Sequence, residues 1–274
     1  MKKYYRAVGF GILWGIVQNF VFFYKGEEVS LSRVIWQLNF PGMSFSVLQL
    51  VDMVLGMFPF FVFQILYGTF LYRRFCTASV FYFSRCTNRV GWFLKETLGL
   101  YLVSVVYFAV IVVTRVGLQF GTCSVVVDRL SVFLTVYYVA VSSLWGYLTA
   151  IVMNLVAIKK GSSTGFVAVA GGQIALIMML SLWDRNGPFS MEDTAHLARN
   201  GFLLKCNPVA HLVLDWHSTF LDPENEMLNR LNIAFDLSET IAVFLVLTGA
   251  VMAVGCVIIK RHELLTNNVE TGGM

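Results

Sequence analysis

Long apolar runs dominate the chain, and polar residues gather in the segments between them. Six runs are close to the roughly 20 residues that a helix needs to cross a bilayer: 4–24, 47–72, 97–115, 130–158, 165–183 and 240–259. Runs such as LVSVVYFAVIVV lack the alternating polarity of a transmembrane β-strand. The pattern predicts an all-α, polytopic membrane protein with six transmembrane helices in a single domain, residues 1–274.

The first run is interpreted as a retained span. Lys2, Lys3 and Arg6 precede it, as basic residues precede the apolar region of a signal peptide. The run is too long for such a region, however, and no small-residue cleavage site follows it.

Composition and charge add a topology to this picture. The chain is 57% hydrophobic and 13% charged, whereas soluble domains are about 25% charged. With both termini inside, the inner segments hold 12 of the 20 basic residues and three of the 16 acidic residues. An excess of Lys and Arg marks the cytoplasmic side. We therefore expect a multi-pass plasma-membrane protein with cytoplasmic termini. Its net charge of +4 reports topology and does not indicate nucleic-acid binding.

Five cations crowd into the inner segment 71–96, LYRRFCTASVFYFSRCTNRVGWFLKE. A helix would bring Arg85, Arg89, Trp92 and Glu96 onto one face. One interpretation is an interfacial helix on anionic lipid headgroups, and the other is a docking element for a cytoplasmic partner. The spacing leaves both open.

The outer segment 184–239 is too apolar at its centre for a solvated loop. Asn207 and Pro208 are typical of a helix start, and the four residues expected on its apolar face are Val209, Leu212, Val213 and Trp216. We expect one or two short helices that lie on the outer surface or dip back into the membrane. Asp236 and Glu239 predict a capping box at the last span.

Few residues predict chemistry. His211, Asp215 and His217 could ligate zinc, but such a trio arises often by chance, and we expect no metal. Asp52 is the one acid well inside a predicted span, which makes it a candidate for contact with a substrate.

The amides Gln18 and Asn19 join Asp52 as candidate substrate-facing residues, although bonds between helices are the simpler role. Cys123 and Cys206 fall in outer loops, where they could pair or stay reduced. No nucleotide-binding or catalytic motif is present, so we expect neither an enzyme nor a bound cofactor.

The layout resembles the membrane subunit of a type-2 ABC exporter. Segment 83–96, FSRCTNRVGWFLKE, stands where such permeases meet their ATPase, and segment 207–218, NPVAHLVLDWHS, stands where membrane-dipping helices precede the last span. The basic pattern is similar to that of small permeases for export of, or immunity to, lantibiotics and other antimicrobial peptides.

The resemblance implies a function and partners. It implies that Arg85, Arg89, Trp92, Lys95 and Glu96 couple the chain to a cytoplasmic ATP-binding subunit, which would hold ATP and Mg²⁺. It also implies a second permease chain and the export of a peptide or amphipathic substrate. The alternative is a non-transport immunity or sensor protein that binds its ligand at the extracellular segment.

Overall fold

The computed structural model describes residues 2–21, 28–39, 47–81, 88–185, 202, 204–218, 228 and 235–261. Within these ranges, only the backbone is described at positions 2–3, 47–54, 77–81, 181–185 and 215. Arg85 lies outside the described residues, as does most of the predicted outer segment 184–239.

The described chain is mostly helical. Its helices are α1 (Lys2–Val21), α2 (Leu31–Trp36), α3 (Val47–Tyr67), α4 (Phe70–Phe81), α5 (Arg89–Thr122), α6 (Arg129–Lys160), α7 (Ser162–Arg185) and α8 (Leu237–Arg261). Four short strands complete it: β1 (Glu28–Ser30), β2 (Ser124–Val126), β3 (His217–Ser218) and β4 (Phe235–Asp236).

Five helical stretches of the described residues are long and apolar enough to cross a membrane. They are Leu55–Cys76, Arg89–Thr122, Arg129–Lys160, Ser162–Leu180 and Leu237–Arg261. This confirms the predicted all-α, polytopic character. The first predicted span, 4–24, is helical over most of its length as α1, but α1 is not among the five and carries Arg6, Gln18 and Asn19.

The second predicted span, 47–72, is helical apart from an interruption at residues 68–69. α3 runs through Pro59 to Tyr67, and α4 begins at Phe70. Asn154 of α6 bridges the interruption, because its Nδ2 donates to the Tyr67 carbonyl at 3.1 Å and its Oδ1 accepts from the Tyr72 N–H at 3.0 Å. Backbone groups freed at membrane depth need such partners.

Glycine is required at the interruption. A Cβ on Gly68 would lie 2.1 Å from Sδ of Met153 and 2.5 Å from the carbonyl oxygen of Gln64. α6 therefore packs directly against the backbone where α3 ends. The inner segment 71–96 begins within α4, Phe70–Phe81, and becomes helical again from Arg89.

Two glycines dock α1 onto α5. A Cβ on Gly11 would lie 3.1 Å from the Tyr107 carbonyl oxygen, and one on Gly15 would lie 3.0 Å from that of Ile111. Small residues four apart allow helix backbones to approach closely in membranes. Because higher numbers in α1 meet higher numbers in α5, the two helices run parallel.

Both described termini lie toward the same end of the bundle. α6 returns antiparallel to α5, since Tyr101 packs on Tyr147 and the Ser104 hydroxyl donates to the Ser143 carbonyl. α8 runs parallel to α6. Phe244 packs against Trp145, and Gly255 packs against Phe93, near the start of α5. The first residues of α1 and the last residues of α8 thus lie at the end at which α5 begins.

The opposite end is tied together by loops. β1 pairs in parallel with β2, Glu28 opposite Ser124. Ser32 donates its backbone N–H and its hydroxyl to the Asp128 carboxylate, just before α6 begins. We call these the basic end and the loop end.

Candidate functional site

The basic end concentrates positive charge among the side chains that the structure describes. Its cations are Arg6, Arg73, Arg74, Arg89, Lys95, Lys159, Lys160, Lys260 and Arg261, and its described acid is Glu96. The described charges of the loop end are mixed: Glu28, Arg33, Asp128, Arg129, Lys205, Asp236 and Glu239. An excess of cations, as at the basic end, is what the positive-inside rule associates with the cytoplasmic side of a membrane.

α4 and α5 form a corner at the basic end. Arg74 of α4 makes an ion pair with Glu96 of α5 at 2.5 Å, and Phe75 packs against Trp92 with ring centroids 6.2 Å apart. Asn88 caps α5, since its Oδ1 accepts from the Gly91 N–H at 2.8 Å. We call Phe70–Phe81 together with Asn88–Glu96 the α4–α5 corner.

Four of the five predicted coupling residues lie in this corner. Arg89, Trp92 and Glu96 share one face in the first turns of α5, and Lys95 is exposed beside it. Trp92 and Glu96 also fasten α4 to α5, a structural role that sequence spacing did not indicate. Arg85 precedes the cap Asn88, so the helix that carries the other four begins after it.

A second polar cluster is buried between α1, α2 and α5. Arg115 of α5 is fully buried, its Nη1 donating to Oδ1 of Asn19 at 2.6 Å and its Nη2 to Oε1 of Gln37 at 3.0 Å. Gln18, the residue before Asn19 in α1, is also buried, and its Oε1 accepts no hydrogen bond from the described residues.

Sequence reasoning missed Arg115. Its signal was a single cation at the end of a long apolar run, and such residues usually mark functional or structural polar sites. Asn19 binds Arg115, which gives this candidate substrate-facing residue a role between helices. The Asp52 side chain lies outside the described residues.

The segment 204–218 packs between the helices, and most of its described side chains are buried. His217 packs against Tyr137 of α6. At 1.5 Å per residue, Tyr137 lies about 12 Å from Arg129, where that helix begins. Asn207 donates to the Leu176 carbonyl of α7, about 14 Å before that helix ends. The segment therefore reaches well below the ends of α6 and α7.

The helical turns in this segment are 3₁₀ turns, whereas the predicted apolar face assumed an α-helix. The four residues expected on one apolar face are buried, but the segment forms two 3₁₀ turns, Ala210–Leu212 and Leu214–Trp216, which include only Leu212 and Trp216 of the four. Val213 separates the turns with extended backbone, φ −84° and ψ 102°. Asn207 closes a local turn instead of capping an α-helix, with Oδ1 2.9 Å from the Val209 N–H.

The predicted capping box is half formed. Asp236 accepts from the backbone N–H and the hydroxyl of Ser238 at the start of α8. These bonds hold the pKa of the Asp236 carboxyl below its usual value. Glu239 does not complete the box, because it pairs with Lys205 at 2.7 Å and so ties segment 204–218 to α8.

His211 and His217 are buried, and each contacts the Thr240 hydroxyl through one ring nitrogen. His211 Nδ1 lies 3.0 Å and His217 Nε2 2.8 Å from Thr240 Oγ1. Burial lowers the pKa of His217 to about 4 and also lowers that of His211.

Two further sets of residues were singled out in the sequence, the candidate zinc ligands and the two loop cysteines. Among the described residues, no three His, Cys, Asp or Glu side chains are grouped to hold a metal ion, and the Asp215 side chain is not described. Cys123 and Cys206 form no disulfide.

Comparison of the chain with protein-family models, with curated proteins and with solved structures gives no match. The features of the chain that bear on its function are therefore the α4–α5 corner, the buried polar groups and the segment 204–218.

Proposed function

We propose that the chain is the membrane subunit of an ATP-driven exporter, which moves a peptide or amphipathic substrate across the plasma membrane while a separate subunit hydrolyses ATP. The α4–α5 corner carries this proposal. It lies at a strongly basic end, and it joins two different membrane helices through the Arg74–Glu96 ion pair and the Phe75–Trp92 contact. A partner that pushes on such a corner would move both helices at once.

The interrupted helix supports a moving part. Broken helices are common where transporters bind or pass a substrate, and the interruption at Gly68 lies directly before α4. The hydrogen bonds from Asn154 cross it from α6, so a displacement of α4 would be passed to α6.

The arrangement of α1 supports six crossings. α1 lies parallel to α5 along a close glycine contact, and its 20 residues reach about 30 Å. Crossing by α1 agrees with two termini on one side, which the charge pattern assigns to the cytoplasm. Six helices would form half of a pathway, so a second permease chain, identical or homologous, would complete it.

Crosslinking from Cys76 tests the proposal. Cys76 is exposed on α4, two residues after Arg74. A variant that retains Cys76 as its single cysteine, coupled in native membranes to a thiol-reactive photo-crosslinker, should form an adduct with a cytoplasmic ATP-binding chain.

The matched control retains Cys206 alone, an exposed cysteine at the loop end. It should give no such adduct. Efficient labelling of Cys76 without any ATP-binding chain among its adducts would count against the exporter and favour the immunity or sensor alternative.

A further inference from the structure

The two buried histidines make more hydrogen-bond contacts than two neutral rings can satisfy. The far nitrogen of each ring faces a backbone carbonyl: His211 Nε2 lies 2.8 Å from the Lys205 oxygen, and His217 Nδ1 lies 2.8 Å from the Val213 oxygen. A carbonyl oxygen can only accept a hydrogen bond. Both of these nitrogens must therefore carry a proton.

The near nitrogens then compete for one hydrogen. In two neutral rings, His211 Nδ1 and His217 Nε2 are both acceptors. Thr240 has a single hydroxyl hydrogen, so it can satisfy one of them, and its oxygen faces the lone pair of the other. Four contacts at hydrogen-bond distance need three N–H groups, whereas two neutral imidazoles supply two.

We propose that His211, Thr240 and His217 form a proton-binding site that takes up one proton per chain. The added proton converts one ring to imidazolium, which donates to Thr240 Oγ1, while the Thr240 hydroxyl donates to the other ring. All four contacts are then hydrogen bonds. This proton site would exist whether or not the chain is part of an exporter.

The surroundings oppose and assist this charge. All three side chains are buried, and burial disfavours the imidazolium. Lys205 also disfavours the charge on His211, whereas Glu239 favours it there and Asp236 favours it on His217. From α6, Tyr137 packs against His217, and the Phe235 ring lies 5.1 Å from that of His211 and 5.5 Å from that of His217.

Uptake stops at one proton. With one ring charged, a second imidazolium across the same hydroxyl would meet its like charge in a buried site, as two carboxylates do when they share a proton. The Thr240 hydroxyl hydrogen, which donates to the other ring in the singly protonated site, would also have to turn away from both rings.

The sign of the pH effect on packing follows from the lowered pKa values. An unfolded segment binds two protons below about pH 6.5, the ordinary range of histidine, and the packed segment binds at most one. Stability is therefore fully present above about pH 6.5 and falls as the pH drops toward 4. The bridging proton reduces that loss by holding segment 204–218 to α8.

Nitrogen-15 NMR of labelled histidine in lipid nanodiscs tests the site, with His196→Gln and His262→Gln leaving the two rings. At pH 7.5 the proton should be on Nε2 of His211 and on Nδ1 of His217. Between about pH 6.5 and 4 the pair should take up one proton while both rings keep their contact with Thr240.

Thr240→Val removes the bridge and should lower the midpoint by about 1–2 pH units, the size expected when a charged group loses one hydrogen bond. Thr240→Ser should keep the wild-type midpoint, and it serves as the test if the valine variant does not insert. Thr248→Val is the matched control, because the Thr248 hydroxyl of the same helix has no hydrogen-bond partner among the described residues.

Three results would overturn the proposal. One is uptake of two protons in independent steps, and another is a midpoint that Thr240→Val leaves unchanged. The third is a shift of both rings on adding zinc at pH 7.5, which would assign the site to a metal ion.

Discussion

Asn154 and Gln173 are buried amides in neighbouring helices, and they differ in what they bind. Asn154 bonds to Tyr67 and Tyr72 across the α3–α4 interruption and to Ala150 in its own helix. Gln173 is 3% exposed, yet neither its Oε1 nor its Nε2 has a hydrogen-bond partner among the described residues. The two amides are similarly buried, but we expect Asn154 to contribute more to stability than Gln173.

Asn154→Leu should destabilise the protein, because it leaves the Tyr67 carbonyl and the Tyr72 N–H without this partner. A buried polar group left unsatisfied costs about 1–3 kcal/mol. Thermal unfolding in detergent, followed by the loss of helix signal or of monodispersity, should show a lowered midpoint.

The matched control is Gln173→Leu, which removes a buried amide without breaking a described bond. Its midpoint should stay the same or rise. Equal losses in the two variants would contradict the role given to Asn154.

At the scale of single residues, what the sequence could predict depended on whether partners are local. The Asp236 cap was predictable, since its partner Ser238 is two positions away. The bonds of Asn154 and Arg115 join residues 78 to 96 positions apart. No local pattern encodes such partners, so the buried arginine cluster and the bridged interruption were missed.

Among the helices, the α1–α5 contact depends on Gly15. A Cβ there would lie 2.7 Å from Cβ of Thr114 and 3.0 Å from the Ile111 carbonyl oxygen. Gly9 is in the same helix, and a Cβ on it would have no neighbour within 4 Å. The two glycines offer a matched pair of substitutions.

Gly15→Val should force α1 away from α5 and destabilise the bundle by about 1–3 kcal/mol, the usual cost of overpacking. Gly9→Val should change little. The check is the yield of folded protein together with disulfide crosslinking of introduced cysteines across α1 and α5. Equal crosslinking in both variants would show that the close approach at Gly15 is not needed.

The α4–α5 corner can be separated from a simple lipid contact by charge reversal. Arg89→Glu with Lys95→Glu should abolish binding of the ATPase, because each reversed contact at a buried charged interface costs about 2–5 kcal/mol. Attraction to lipid headgroups is worth only about 1 kcal/mol per cation. Co-purification of the ATPase is the measurement.

The control is Lys260→Glu with Arg261→Glu, which reverses two exposed cations of the same end outside the corner. It should keep the partner. Insertion must be verified in both variants, because reversed charges can change topology. A correctly inserted Arg89→Glu/Lys95→Glu protein that retains its ATPase would reduce the corner to a membrane anchor.

The long helices could be predicted from the sequence better than the short elements between them. Apolar runs fix which segments are helical, and the long helices α5 to α8 lie where the runs predict them. Segment 204–218 was expected to be α-helical because its apolar residues have helical spacing, but packing against α6, α7 and α8 divides it into two 3₁₀ turns at Val213. Burial on several sides overrides the local period.

For the whole molecule, exposed cysteines at the basic end and at the loop end should differ in their accessibility from outside the cell. In single-cysteine variants, a membrane-impermeant thiol reagent should label Cys206 in intact cells and Cys76 only after the membrane is opened. The reason is the excess of cations at the end that carries Cys76, which should hold that end in the cytoplasm. Labelling of Cys76 in intact cells would reverse the assigned orientation.

The exporter proposal is tested most directly by purifying the chain, tagged and at its native level, from its own membranes in mild detergent and identifying what accompanies it. The account predicts a cytoplasmic ATP-binding chain, a second permease chain, and ATP hydrolysis by the purified complex. Purification of a correctly inserted, folded chain with neither an ATP-binding partner nor ATP hydrolysis would contradict it.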